Sequence, residues 1–492
     1  MEQHLPALQV VVPLLSAPLC VLLNNARLAW GLSLAASWAA LIIAGLLLQQ
    51  VLTTGTLSYE IGGWAAPWGI EYRIDPVNAF VLLIVAAIGA VMLPFAARSV
   101  ASEIPERRIT LFYTAYLLCF AGLLGIAATG DAFNLFVFLE ISSLSSYILI
   151  SLGRDRRALT AAFQYLVMGT IGATFILIGV GLLYMMTGTL NMADLTQRLP
   201  AVADTRTVRA ALAFLTVGIS LKLALFPLHL WLPNAYAYAP SMVTAFLAAT
   251  ATKVAVYMLL RFLFTVFGVA FSFEAMLLNL ILLPLALVAV FSASIVAIFQ
   301  DDLKRMLAYS SVAQIGYMIL GISFASFTGL TAGILHLFNH ALMKGALFLA
   351  LGCVVYRLGS ARLSDVAGLG RRMPWTFAAI VVGGLSVIGV PLTVGFISKW
   401  YLILAALEDG LWWVAALVLV GSLMAIVYIW RVVEAAFFQP VPRVGPRRQE
   451  APLSLLLPTW ILIGANIYFG IHTDLTVGVA QRAAESLLRG GL

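Results

Sequence analysis

The chain has 492 residues, of which 62% are hydrophobic and 10% charged, a balance that excludes an ordinary soluble globular domain. Its net charge of +7 comes from basic residues scattered between apolar runs, so a nucleic-acid-binding surface is excluded as the explanation. The runs are continuous and rich in Leu, Ala and Ile, which excludes the short alternating strands of a membrane β-barrel.

Fourteen apolar helices are predicted, each long enough to cross roughly 30 Å of hydrocarbon at about 1.5 Å per residue. They are 5–22, 28–53, 76–97, 110–128, 131–151, 161–187, 209–231, 241–264, 274–299, 305–327, 331–357, 374–403, 411–437 and 455–480. The opening MEQHLPALQV has no basic stretch and leads into a full-length span, so it does not read as a cleaved signal peptide. Connections are short except 54–75, 188–208 and 438–454, which makes residues 1–492 one membrane domain. With fourteen spans, seventeen loop Lys and Arg residues, among them Lys304, Arg431, Arg443, Arg447 and Arg448, fall on one side. Seven, among them Arg261, fall on the other. Basic loops stay cytoplasmic, so both termini are expected on the non-cytoplasmic side.

Polar residues inside the spans carry the chemistry. Glu140 lies midway along the fifth span and is the one acid expected deep in an apolar run, with Lys222 or Lys253 as its partner. Ser142, Ser143, Ser145 and Ser146 add polarity to the same span, either organising water or serving ordinary helix packing. Lys222 in the seventh span precedes FPLHLWLP, where Pro227 and Pro233 remove backbone donors and are expected to interrupt the helix. His229, near the end of that span, reads as a proton-uptake residue. The tenth span carries Tyr309, Ser310 and Gln314 as accessory polar groups. In the eleventh, His336, His340 and Lys344 stand at i, i+4 and i+8, on one helical face, with axial steps of about 6 Å that a water or a side-chain rotation can bridge. The twelfth repeats the device of the seventh, with Pro391 among glycines and Lys399 eight residues later. Two interrupted helices five spans apart suggest two related halves.

Four of the five lysines thus fall inside spans, whereas arginine dominates the loops. Arginine stays charged at any physiological pH, but a desolvated lysine can exchange a proton, so the pattern points to proton or cation translocation. Cys20, Cys119 and Cys353 lie in apolar segments without pairing or metal-ligand spacing. No metal site, cofactor site or nucleophile triad is recognisable, and the two histidines of the eleventh span alone seldom hold zinc.

The blocks FNLFVFLE, FPLHLWLPNAYAYAPSMVTAFLAATATKVAVY, DDLKRMLAYSSVAQIGYM, HLFNHALMKGALFLALG and PLTVGFISKW resemble the antiporter-like subunits shared by respiratory complex I, membrane-bound hydrogenases and Mrp-type Na+/H+ antiporters. The short loops, TKVAVY and GFISKW are most similar to the D-type subunits of the Mrp group, and the complex I type with lysine in the twelfth helix is the nearest alternative. The resemblance implies an all-α polytopic protein of about fourteen helices with two inverted five-helix repeats, 110–264 and 274–437, whose helices 7 and 12 are broken. Helices 1–3 within 1–98 and helix 14 at 455–480 would flank them. It further implies Glu140 and Lys222 as an ion pair, Lys253 as the next relay residue, His336 and Lys344 as the central connection and Lys399 as a gate. The implied partners are other membrane subunits of an Mrp-type complex, protons and Na+ as transported ions, and the lipid bilayer of a bacterial cytoplasmic membrane. No cage of several carboxylates for sodium is visible in the chain. The absence of a long lateral helix after the last span sets the sequence apart from the largest complex I subunit of the group.

Overall fold

The computed structural model describes residues 2–440 and 449–489. Arg443, Arg447 and Arg448, counted above among the loop charges, lie outside the described residues. The helices are α1 (Leu5–Leu23), α2 (Ala26–Thr54), α3 (Pro76–Glu103), α4 (Glu106–Ala128), α5 (Ala132–Ser151), α6 (Arg157–Thr187) and a short α7 (Met192–Arg198). They continue as α8 (Arg206–Leu223), α9 (Trp231–Tyr238), α10 (Ser241–Ala249), α11 (Ala251–Leu260), α12 (Asn279–Ile298), α13 (Leu303–Ser323) and α14 (Phe327–Leu358). The last are α15 (Pro374–Ile388), α16 (Val394–Glu408), α17 (Trp412–Phe438), α18 (Leu453–Ile471) and α19 (Asp474–Leu488).

Among the described residues, twelve helices are long and apolar enough to cross a membrane, α10 and α11 being counted as one with the π-helical turn that follows them. Where the seventh and twelfth spans were predicted stand two pairs of shorter helices, α8 with α9 and α15 with α16. The chain is therefore a polytopic helical membrane protein. Asn25, Asp75, Asp131, Asp302 and Ser326 start their helices by accepting backbone N–H groups, which leaves the apolar interiors to pack. The centre of the bundle is α14, buried continuously from Gly329 to Val354 and touching α3, α10, α13, α15, α16, α18 and α19.

One face carries both ends of the described chain: His4 Nδ1 lies 3.0 Å from Tyr59 Oη, and Arg482 donates to the Leu52 carbonyl at 3.0 Å. We call it the terminal face, and the opposite one, bearing residues 154–157, the arginine-rich face. On the terminal face the connection 54–75 contains a short antiparallel hairpin, β1 (Leu57–Glu60) and β2 (Glu71–Ile74), in an otherwise helical chain as expected.

Other expectations are corrected. The last span ends at Ile471, not 480: the chain turns at His472 and re-enters the amphipathic α19, which buries Val479, Ala480, Ala483, Ala484 and Leu487. Pro233 does not interrupt a helix, because it is the third residue of α9, where its missing N–H costs nothing. The seventh span is divided instead over 224–230, around Pro227. The eighth is divided too, at Thr250 (φ −124°, ψ −58°), with no proline or glycine to announce it.

Candidate functional site

The side chains of interest fall into separate local groups. In one of them Glu140 Oε1 lies 3.9 Å from the Lys222 ammonium, whose side chain is 4% exposed against 29% for Glu140. Lys222 also donates to Ser143 Oγ at 2.9 Å, one turn beyond Glu140 on α5. Of the two candidate partners, then, Glu140 meets Lys222. The other serines of α5 bond back to their own helix, Ser142 to Leu139, Ser145 to Ile141 and Ser146 to Ser142. Lys222 sits in the last turn of α8, where the negative end of the helix dipole favours a cation. A cavity of about 20 Å³, space for one water, joins Lys222 and the α5 serines to Ala251, Val254 and Ala255 of α11.

Lys253, wholly buried, does not join that pair. Its ammonium donates to the Ala248 carbonyl, which the break at Thr250 leaves free, and to Thr252 Oγ1 at 3.2 Å. Lys344 donates to Leu307 O at 3.0 Å and Ser310 Oγ at 2.8 Å, and Ser310 in turn meets Tyr428 Oη at 2.9 Å. Lys399 donates at 2.9 Å to each of Val387 O, Ile388 O and Ser422 Oγ, and lies 4.9 Å from the centre of the Tyr317 ring. Ser422 and Tyr428 were missed in the sequence, since one polar residue in an apolar helix carries no spacing signal.

The break that serves Lys399 spans 389–393 and includes Pro391. Gly389 ends α15 in the left-handed region (φ +93°), and Gly395 lets α16 pass so close to α15 that a Cβ there would stand 1.7 Å from Ser386 O. These terminal carbonyls would otherwise be unpaired inside a membrane, and an ammonium satisfies them while gaining the negative helix end.

Between the lysines stand the histidines. His336 Nδ1 is 2.8 Å from Ser398 Oγ, the residue before Lys399, and its ring lies 5.7 Å from Tyr317 and 6.2 Å from His340. His336 Nε2, both ring nitrogens of His340 and Gln314 Oε1 have no hydrogen-bond partner among the described residues, although all three side chains are buried. His229 stands apart, in the gap between α8 and α9, stacked 5.3 Å from Phe226 and edge-on at 6.3 Å to the half-buried Tyr309. It does not stand near the arginine-rich end of its span as expected, because α9 carries the span on beyond it.

Further ionic groups that the sequence places in connections are buried, Glu71 among them. Arg261, counted as a loop residue, pairs with Asp75 at 2.7 Å with side chains 6% and 1% exposed, so Glu140 is not the only interior acid. Lys304, likewise counted as a loop residue, is 5% exposed and donates to Ala239 O at 3.0 Å.

Residues 129–425 match the family model described as NADH:quinone oxidoreductase/Mrp antiporter, transmembrane region. The chain is 44% identical to the N-type subunit of the NADH-quinone oxidoreductase of Desulforudis audaxviator, over 96% of this chain and 97% of that one. It is 30% identical to the D-type subunit of the Na+/H+ antiporter of Bacillus subtilis, over 98% and 96%. Among solved structures it resembles a chain of the Mrp complex from Dietzia sp. DQ12-45-1b, with TM-score 0.90, 26% identity and 99% and 97% coverage. A chain of the membrane-bound sulfane sulfur reductase, an archaeal respiratory membrane complex, superposes with TM-score 0.91 at 32% identity, with 99% and 98% coverage.

Proposed function

The chain belongs to the NADH:quinone oxidoreductase/Mrp antiporter family, and from that premise we propose that it is an ion-translocating subunit of a multi-subunit monovalent cation (Na+)/proton antiporter in a bacterial cytoplasmic membrane. Protons pass along Glu140, Lys222, Lys253, His336, Lys344 and Lys399, with His229, His340, Tyr309, Ser310 and Gln314 as accessory groups. The transport halves are 110–264 and 274–437, each with one broken helix. The chain acts as a transporter subunit and has no catalytic step of its own. Its partners are other membrane subunits, in keeping with the Mrp complex that its structural relative comes from.

The observation that carries this reading is that all five lysines are buried and donate to a carbonyl or hydroxyl, four of them in the predicted spans and one of those 3.9 Å from an acid. Buried charge is costly in a membrane and persists where it has work to do. Lysine at all four positions suits groups that gain and release protons.

A second reading, a proton-pumping subunit of a complex I-like oxidoreductase or membrane-bound hydrogenase, is favoured by the 44% identity to an N-type oxidoreductase subunit. Purifying the native complex, identifying its subunits and comparing Na+-driven with NADH-driven proton movement in vesicles separates the two. Proton movement on adding Na+ without any reductant supports the antiporter; movement that requires NADH overturns it.

A further inference from the structure

Arg261 and Asp75 take no part in the relay, yet they form the most tightly paired buried ions among the described residues, 2.7 Å apart. Such a pair is poor evidence for stability, since apolar residues of similar volume usually do as well or better, so its presence asks for another reason. Its position supplies one. Lys253, Tyr257, Arg261 and Thr265 follow one another at four-residue intervals, so they lie on one side of the eighth span. From Arg261 to Val266 that span widens to a π-helical turn, whose longer repeat keeps Arg261 and Thr265 in line. The guanidinium donates to Tyr257 Oη at 3.3 Å and to Thr265 Oγ1 at 3.2 Å, and these three residues line a cavity of about 20 Å³ with Arg73, Thr129 and Gly130. This polar stripe leads from Lys253 towards the terminal face.

Above it the chain is strapped down. Buried Glu71 accepts from Ser58 Oγ at 2.6 Å and Asn191 Nδ2 at 2.8 Å, Gly130 N donates to Glu71 O at 2.8 Å, and Thr196 Oγ1 donates to Thr265 O at 2.8 Å. A guanidinium does not release its proton in a protein, so a proton that reaches Arg261 along the stripe cannot be handed on through it.

We infer that Arg261, held in place by Asp75, seals the terminal-face end of a polar stripe that begins at Lys253, so that the first broken-helix half exchanges protons only with the arginine-rich face. The inference rests on the reading of Lys253 as a relay group. Without such a seal, a relay open to both faces would let protons run downhill uncoupled.

The test is the decay of an imposed pH gradient in vesicles holding the assembled complex, with no Na+ gradient. Asp75→Asn with Arg261→Gln removes both charges and keeps the cap that residue 75 provides to Val77 and Asn78. The decay should quicken by about fivefold, and adding Lys253→Ala should return it to the wild-type rate. A wild-type rate in the assembled double variant overturns the inference, as does a leak that Lys253→Ala leaves unchanged. Should the double variant not assemble, Arg261→Lys keeps the charge but loses the fork joining Asp75, Tyr257 and Thr265. An increase of about twofold then supports the seal, and no increase overturns it. The relay reading fails separately: undiminished antiport in Lys253→Ala alone refutes it, whatever the leak.

Discussion

The ammonium of Lys399 lies 2.9 Å from the carbonyl oxygen of Ile388, across the gap that divides α15 from α16. The same relation recurs where Lys253 meets Ala248 O across the break at Thr250. In each case a helix is opened, the freed carbonyls need donors, and the donor supplied is a titratable side chain. A lysine that gives up a proton keeps two N–H donors for these acceptors but no longer carries the charge that favours the negative helix end.

Glu140 tests the ion pair with Lys222. Glu140→Gln keeps side-chain volume and removes the charge 3.9 Å from Lys222. Antiport by the assembled complex should fall by about tenfold or more, the scale of a lost charge interaction worth roughly 1.4 kcal/mol. Near-normal transport at several pH values would assign Glu140 a purely structural role.

The two histidines of α14 should separate structure from transport. His336 bonds Ser398 at 2.8 Å, whereas both nitrogens of buried His340 are without a partner among the described residues. His340→Leu should therefore change thermal stability by less than about 1 kcal/mol, because replacing an unsatisfied buried polar group by an apolar one is nearly neutral. It should nonetheless impair transport. A stable variant with full antiport would remove His340 from the relay.

Gly395 probes the crossing of α15 and α16. A Cβ there would lie 1.7 Å from Ser386 O, so Gly395→Ala must push the half-helices apart and should cost about 2 kcal/mol in stability as well as activity. Gly464 faces open space, and Gly464→Ala should be neutral or slightly stabilising in the same melt. Equal melting of the two variants would contradict the close crossing.

Accessibility labelling checks the orientation drawn from loop charge. Reagents restricted to the cytoplasmic side should reach cysteines placed at 154–157, and those restricted to the other side should reach the exposed His4 and His472 positions. Labelling of both from one side would refute it.

How much of this was readable in advance depends on the kind of signal. Pro227 and Pro391 announced two breaks because proline removes a backbone donor whatever its surroundings. The break at Thr250 was invisible, since a threonine in ATATKV looks like any helical residue and only tertiary packing bends the chain there. Lysines in apolar runs stood out by contrast with their neighbours. Asp75 and Arg261 did not, because charges near the ends of spans read as loop residues, and only the packing of the hairpin, α7 and α19 around them shows that they are interior. The end of α18 was overrun because His472 and Thr473 are weak helix breakers and α19 continues a helical pattern.

The most direct test of the relay is Lys399→Arg, measured as pH-gradient formation on adding Na+ to inverted vesicles, normalised to assembled complex. Arginine would bring a permanent cation to the acceptors that Lys399 uses, Val387 O, Ile388 O and Ser422 Oγ, so a site that needs only positive charge should keep working. A site that must release a proton should not, because the guanidinium holds its proton up to a pH of about 12. Antiport should fall by about tenfold or more in Lys399→Arg, as severely as in Lys399→Ala, with assembly intact. Wild-type activity of the arginine variant across the working pH range would contradict proton transfer through Lys399.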